Sequence, residues 1–311
     1  MNPSTSSRVR QRFGLNDSIR PLFRPILVFL FVMTFYHTLV VSGVLPSSEG
    51  LSIQQSNIIK VEQYAYSQSP YEILVAGSSR TAKIEADYFG KERVANVGIR
   101  GGSSQTGLEL VKRSHSKPSI LLLEANGTLI QGVNRELIEA AYHPILYFIR
   151  LYFPMFRQEY QPVAVAIEII KNWKGITAEK IENQRVNELR RNPQMREKRL
   201  KQAIEQRREG LNEKQKNKLT RVAQNLKKQI VKLEKQGVRV ILFDVPGDPL
   251  VDRTPERKQE KELMRKLFPP ETYEWLPEHP SRDWMTTDGV HLIRADARDY
   301  AAFILNYLGS F

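Results

Sequence analysis

The sequence predicts an α/β protein with a mostly parallel sheet, and three observations carry that expectation. Four short apolar runs rich in β-formers, 71–77 (YEILVAG), 94–97 (VANV), 119–124 (SILLLE) and 238–245 (VRVILFDV), have the look of buried strands. Helical patterns such as 106–113 lie between them. A closing helix over 296–308 places Ala301, Phe303, Ile304 and Leu308 on one face. Strands that alternate with helices build a parallel sheet, because a parallel pair needs a crossover between its members.

The elements follow in order from the N-terminus. Residues 25–46 (PILVFLFVMTFYHTLVVSGVLP) contain no Asp, Glu, Lys or Arg, and about 20 apolar residues span a bilayer. The preceding tail, 1–24, carries Arg8, Arg10, Arg12, Arg20 and Arg24 against the single Asp17. Positive flanks stay cytoplasmic, so the tail is expected inside and the remainder of the chain outside. A cleaved signal peptide is the competing reading, with Val41 and Gly43 as small-residue positions before a cut. The apolar run is longer than the roughly 7 to 15 residues of a signal core, which favours an uncleaved anchor.

Residues 47–70 are polar (SSEG, SIQQS, SQSP) and read as a linker with one helix over 58–66. The globular domain is expected over 71–311, interrupted by a helical, basic insertion at about 129–236. Within it, 142–156 (YHPILYFIRLYFPMF) is dense in aromatics. It reads either as a helix buried against the sheet or as a lid or amphipathic element at the membrane. The 219–233 stretch places Leu219, Val222, Leu226, Ile230 and Leu233 on one stripe, and Gly237 stops the helix.

Composition narrows the chemistry. The chain has 311 residues, 41% of them hydrophobic, and no cysteine, which excludes disulfide scaffolds, thiolate zinc sites and cysteine enzymes. Its five His stand at 37, 115, 143, 279 and 291 and form no metal-ligand spacing, so no metal or other cofactor is expected. The formal net charge of +13 is local: residues 171–236 hold 20 Lys+Arg against 8 Asp+Glu, and the rest of the chain holds 27 against 26. Such a run is either a solvated helix face or a surface for an anionic partner. Outside a membrane that partner is an acidic polysaccharide, an anionic envelope polymer or a lipid headgroup, and no nucleic-acid motif is present.

Ligands of parallel sheets bind beyond the carboxyl ends of the strands. Those ends read Gly77-Ser78-Ser79-Arg80-Thr81, then Asn96-Val97-Gly98-Ile99-Arg100-Gly101-Gly102, then Glu124-Ala125-Asn126-Gly127-Thr128, with Asp288-Gly289-Val290-His291 before the last helix. Each alone has an ordinary explanation as a turn or a helix cap. Asn126 also begins Asn-Gly-Thr, a formal glycosylation sequon, but its place straight after a strand favours a site residue. Asp248, Asp252 and Asp283 read as caps or surface charge, and His143 as structural.

Taken together, Ser, Gly, Asn and Asp…His in this chain order resemble the SGNH, or GDSL-type, hydrolase superfamily. The resemblance covers 71 to about 128 and 238–308, and departs from the pattern in reading GSS where the family has GDS. It implies a flavodoxin-like three-layer α/β/α sandwich. It also implies Ser79 as nucleophile, His291 as base, Asp288 as its orienting carboxylate, and Ser79, Gly101 and Asn126 as oxyanion-hole donors. The GSS block leaves Ser78 as an alternative nucleophile. With an anchor and an extracytoplasmic domain, the chain looks like the branch that includes DltD-like and polysaccharide O-acetylation proteins. That branch implies an esterase or O-acyltransferase acting on a cell-envelope carbohydrate or polymer, with a membrane-bound acyltransferase as a candidate partner. The alternative is a non-catalytic membrane-anchored scaffold that holds an anionic polymer or a partner through the basic segment.

Overall fold

The computed structural model describes residues 15–90 and 93–309. The elements run α1 (Leu15–Val41), α2 (Ile53–Ala65), β1 (Ile73–Gly77), β2 (Val94–Gly98), α3 (Ser104–Arg113), β3 (Ile120–Glu124), α4 (Arg135–Ala141), α5 (Pro144–Tyr152) and α6 (Pro162–Trp173). They continue with α7 (Ala178–Arg191), α8 (Pro193–Glu205), α9 (Glu213–Glu234), β4 (Arg239–Phe243), α10 (Pro249–Asp252), α11 (Pro255–Leu267) and α12 (Arg294–Leu308).

All four apolar runs form strands, and all their pairings are parallel, in the order β2-β1-β3-β4. Alternate residues of each strand point to opposite faces. Leu74, Ala76, Val97, Leu121, Leu123, Val240 and Leu242 pack with α2, α3, α4, α9 and α11 on one side. Ile73, Val75, Leu122, Ile241 and Phe243 pack with α12 on the other. Covering both faces explains why the strands are apolar throughout instead of alternating with polar residues. The order reverses between β1 and β3, so the loops that follow these neighbours diverge and open a crevice at their carboxyl ends.

Two expectations are corrected here. Residues 47–70 are more than a linker: α2 starts at Ile53, capped by Ser52, and buries Ile59, Val61 and Tyr64 against the sheet side that α3 and α4 cover. The apolar positions of IQQSNIIKVEQYA are sparse, and only packing against a preformed face makes them a core helix. The aromatic stretch 142–156 is not a helix buried against the sheet, because α5 has no buried residue. Conversely, the last part of the basic insertion belongs to the core. Helix α9 is the crossover between β3 and β4, with Leu219, Leu226, Ile230 and Leu233 buried and Val222 packed beside them. An Asn212/Gln215 capping box starts it.

Among the described residues, one helix segment, Phe23–Val41, is long and apolar enough to be a membrane span or a signal sequence. The flanking Arg8, Arg10 and Arg12 lie outside the described residues.

Candidate functional site

The site is assembled at the reversal point from three strand ends and one hairpin. After β1 the chain turns sharply through Ser78, Ser79 and Arg80 into a 3-10 turn, Thr81–Lys83. Glu124, the buried last residue of neighbouring β3, holds this turn: its carboxylate accepts the Ser78 N–H at 2.5 Å and the Thr81 hydroxyl at 2.9 Å. From the other neighbour, Asn96 of β2 donates to the Thr81 carbonyl at 2.9 Å. The turn is thus fixed from both flanking strands. Ser78 is buried and its hydroxyl accepts the Arg80 N–H, whereas Ser79 is partly exposed.

His291 arrives from a hairpin that precedes α12. A bridge between Thr286 and Leu292 and the Thr287 N–H to His291 carbonyl bond at 2.9 Å close it. Gly289 occupies the tip at φ +88°, and a Cβ there would meet Val251 Cγ2 at 2.9 Å, so the tip needs glycine twice over. One Asp288 carboxylate oxygen accepts the Val290 and His291 N–H groups at 3.1 and 2.9 Å. The other lies 2.7 Å from His291 Nδ1. His291 Nε2 lies 2.8 Å from Ser79 Oγ.

Electrostatics assign the protons. Burial by itself would raise the Asp288 carboxyl, but the hydrogen bond and charge of His291 and the two backbone N–H groups outweigh it and hold the carboxyl down to about 2. An ionised Asp288 can only accept, so Nδ1 donates to it, and whenever the imidazole is neutral Nε2 is left to accept from the Ser79 hydroxyl. The arrangement can draw the hydroxyl proton toward nitrogen as the oxygen attacks an electrophile.

Ser79, Asp288 and His291 therefore come together. Asn126 lines the same cleft: its Oδ1 caps the 3-10 turn Gly127–Gln131 by accepting the Thr128 N–H at 2.9 Å, and its Nδ2 donates to Glu124 at 2.8 Å. Among the described residues the second Nδ2 proton has only Asp244, at 3.5 Å. Gly101 is not brought in. It is exposed at φ +75° in a turn closed by the Gly102 N–H to Ile99 carbonyl bond, and it does not line the cleft. His143 is an exposed N-cap of α5, away from the cleft lining.

Sequence reading overlooked a buried charge network behind the serine. Arg80 pairs with Asp244, the residue after β4, at 3.2 Å and also donates to the Val245 carbonyl. Arg257 of α11 reaches the other Asp244 oxygen at 2.7 Å, Asp252 at 3.4 Å, and Glu260. Burial pushes the Asp244 carboxyl up, but the adjacent Arg257 and Arg80 charges prevail and keep it below the usual carboxylate range. Asp252 is thus a member of this network and not surface charge, while Asp248 caps α10 and pairs with Arg196 of α8 at 3.3 Å. A signal was available: Glu124 and Asp244 are carboxylates that end otherwise apolar strands, at the edge where sites form.

The cleft holds about 580 Å³. One wall was not foreseen at all: Arg199, Gln202 and Ala203 of α8, with Gln206 and Arg207 just beyond it, come from the basic insertion and line the same cleft as Ser79 and His291, with α8 packed on the hairpin tip, where a Gly289 Cβ would meet Ala203 Cβ at 3.2 Å. Helix α7 joins them to the hairpin side, since Glu182 accepts the Arg294 N–H at 2.8 Å, three residues from His291. No protein-family model matches the sequence and no curated protein is significantly similar to it, so the chemistry of the site is read from its geometry.

Proposed function

We propose that the chain is an extracytoplasmic serine-dependent acyl-ester enzyme of SGNH type, an esterase or O-acyltransferase acting on a cell-envelope carbohydrate or polymer. In this reading the four-stranded sheet is the centre of a flavodoxin-like α/β/α sandwich, α1 is a single-pass anchor, and its arginine-rich flank keeps the N-terminus cytoplasmic. The observation that carries the proposal is the continuous hydrogen-bonded line from Ser79 Oγ through His291 to Asp288, at 2.8 and 2.7 Å.

Ser79 Oγ attacks the acyl carbonyl while His291 Nε2 takes its proton, and Asp288 stabilises the imidazolium that forms. The tetrahedral oxyanion is met by the Ser79 N–H and by the weakly held second proton of the Asn126 amide, and removal of one such donor costs roughly 10²- to 10³-fold in rate. Gly101, away from the cleft lining, is left out of this set. Collapse breaks the ester C–O bond, and His291 returns the proton to the departing alkoxide. Water or a sugar hydroxyl then attacks the acyl-enzyme through the same base, which gives hydrolysis or transfer. The basic α8 wall suits an acceptor that carries negative charge.

Labelling of the full-length protein in detergent with a fluorophosphonate probe tests the proposal. Label is expected on the wild type and on Ser78→Ala, and none on Ser79→Ala or His291→Ala. A folded wild type that takes no label removes the activated serine and leaves the scaffold reading, in which polymer binding is salt-sensitive and indifferent to Ser79→Ala.

A further inference from the structure

Among the described residues outside α1, helices α5 and α6 and the link between them expose apolar side chains. On α5, Ile145, Phe148 and Tyr152 recur at helical spacing and are 67%, 58% and 67% exposed. On α6, Val163, Ala166, Ile170 and Trp173 form a second outward stripe, with Trp173 85% exposed. Phe153 and Phe156, between the two helices, are also exposed. Exposed apolar side chains gathered on consecutive elements in this way mark an interaction site.

What covers it is indicated by where it meets α1. Tyr36 donates to the Tyr160 carbonyl at 2.5 Å, and the His37 and Phe153 rings lie 5.5 Å apart. These contacts fall four and five residues before Val41, the end of the apolar segment. At a rise of about 1.5 Å per residue that is roughly 6 to 8 Å inside the span. The 19 residues Phe23–Val41 fit a hydrocarbon layer of about 30 Å with nothing to spare. Residues 153–160 are therefore carried to the depth at which interfacial helices lie, about 5 to 10 Å into the headgroup boundary. Helix α5 ends, and α6 begins, at that level. Polar groups of α5 and of the link to α6 face the domain: Arg150 of α5 pairs with Glu62 of α2 at 2.8 Å, and Arg157, between the helices, lies over the Tyr66 ring. Trp173 stands between Lys171 and Lys174, an aromatic and cationic end suited to headgroups.

We infer that α5 and α6 lie in the lipid–water interface at the C-terminal end of α1, as a second membrane contact that seats the domain on the bilayer. The inference needs α1 to be an uncleaved anchor and is independent of the serine chemistry. It is tested on full-length protein reconstituted into phosphatidylcholine vesicles with and without brominated acyl chains. The chain has three tryptophans, so the wild-type emission minus that of Trp173→Phe isolates Trp173 from Trp275 and Trp284. The Trp173 component is expected to be blue-shifted, to lose most of its intensity to brominated lipid and to resist aqueous iodide. Phe148→Asp combined with Ile170→Asp, both at exposed positions, is expected to return it to red, iodide-sensitive emission. Water-like emission quenched by iodide, in protein that survives an alkaline wash of the vesicles, overturns the seat while the anchor stands, and assigns the surface to a protein partner. Protein stripped off by that wash overturns the anchor and the seat together.

Discussion

Ser79 and His291 stand 212 residues apart and meet at 2.8 Å, so their contact depends on every residue that fixes the two loops. Asp288 acts through the imidazole. Asp288→Asn keeps the shape but favours the wrong tautomer, and turnover of a model ester is expected to fall by roughly 10³- to 10⁴-fold with binding retained. The same carboxylate links the hairpin to pH. Its folded pKa, about 2, lies below the ordinary value of about 4, so the folded state is stabilised above that ordinary value and the gain disappears as pH falls toward 2. Thermal melts should show the wild type above Asp288→Asn at pH 6 and the two converging near pH 2. Glu124 is a positioning residue. With its carboxylate accepting from Ser78, Thr81 and Asn126, Glu124→Gln faces at least one donor with another and is expected to lose about 2 to 4 kcal/mol and the fluorophosphonate label together. Retention of full stability in that variant would show that the turn is held by other means.

At the scale of elements, the 3.6-residue stripe of α9 was legible in the sequence because four of its five positions face the core and none faces the cleft. Leu226→Ala, at a position 1% exposed, is expected to cost about 2 to 5 kcal/mol, read as a lowered denaturant midpoint with unchanged slope. Helix α2 was read short and as part of a tether, since its apolar residues gain a partner only when β2, α3 and α4 are in place. Helix α8 was read as charged surface, and its contribution to the cleft was invisible because a wall is defined by what stands opposite. Charge reversal of Arg199 and Arg207 is expected to weaken binding of an anionic acceptor at low ionic strength and to matter little near 1 M salt, where the screening length is about 3 Å. An affinity unaffected by either change would place the acceptor elsewhere.

For the molecule as a whole, two basic residues of 171–236, Arg199 and Arg207, line the cleft, while the link between α5 and α6 lies against the end of α1. Helices α5 and α6 and the basic α8 wall follow one another along one stretch of chain, 144–207. An uncleaved anchor predicts an intact mass of 35.9 kDa and retention in membranes after alkaline washing. A mature chain starting near Gly43 would instead identify a signal sequence.

The sequence by itself determined the strands, the crossover and closing helices, the apolar N-terminal segment and the serine and Asp…His blocks, because each is a local pattern of burial or spacing. Only the tertiary structure decided which serine faces the imidazole, that Gly101 stays outside the cleft, that Glu124 and the Asp244–Arg257 network brace the site, and that the insertion forms its wall. Those are relations between residues far apart in the chain. They depend on strand order and on the packing of helices over both sheet faces, which no local periodicity records.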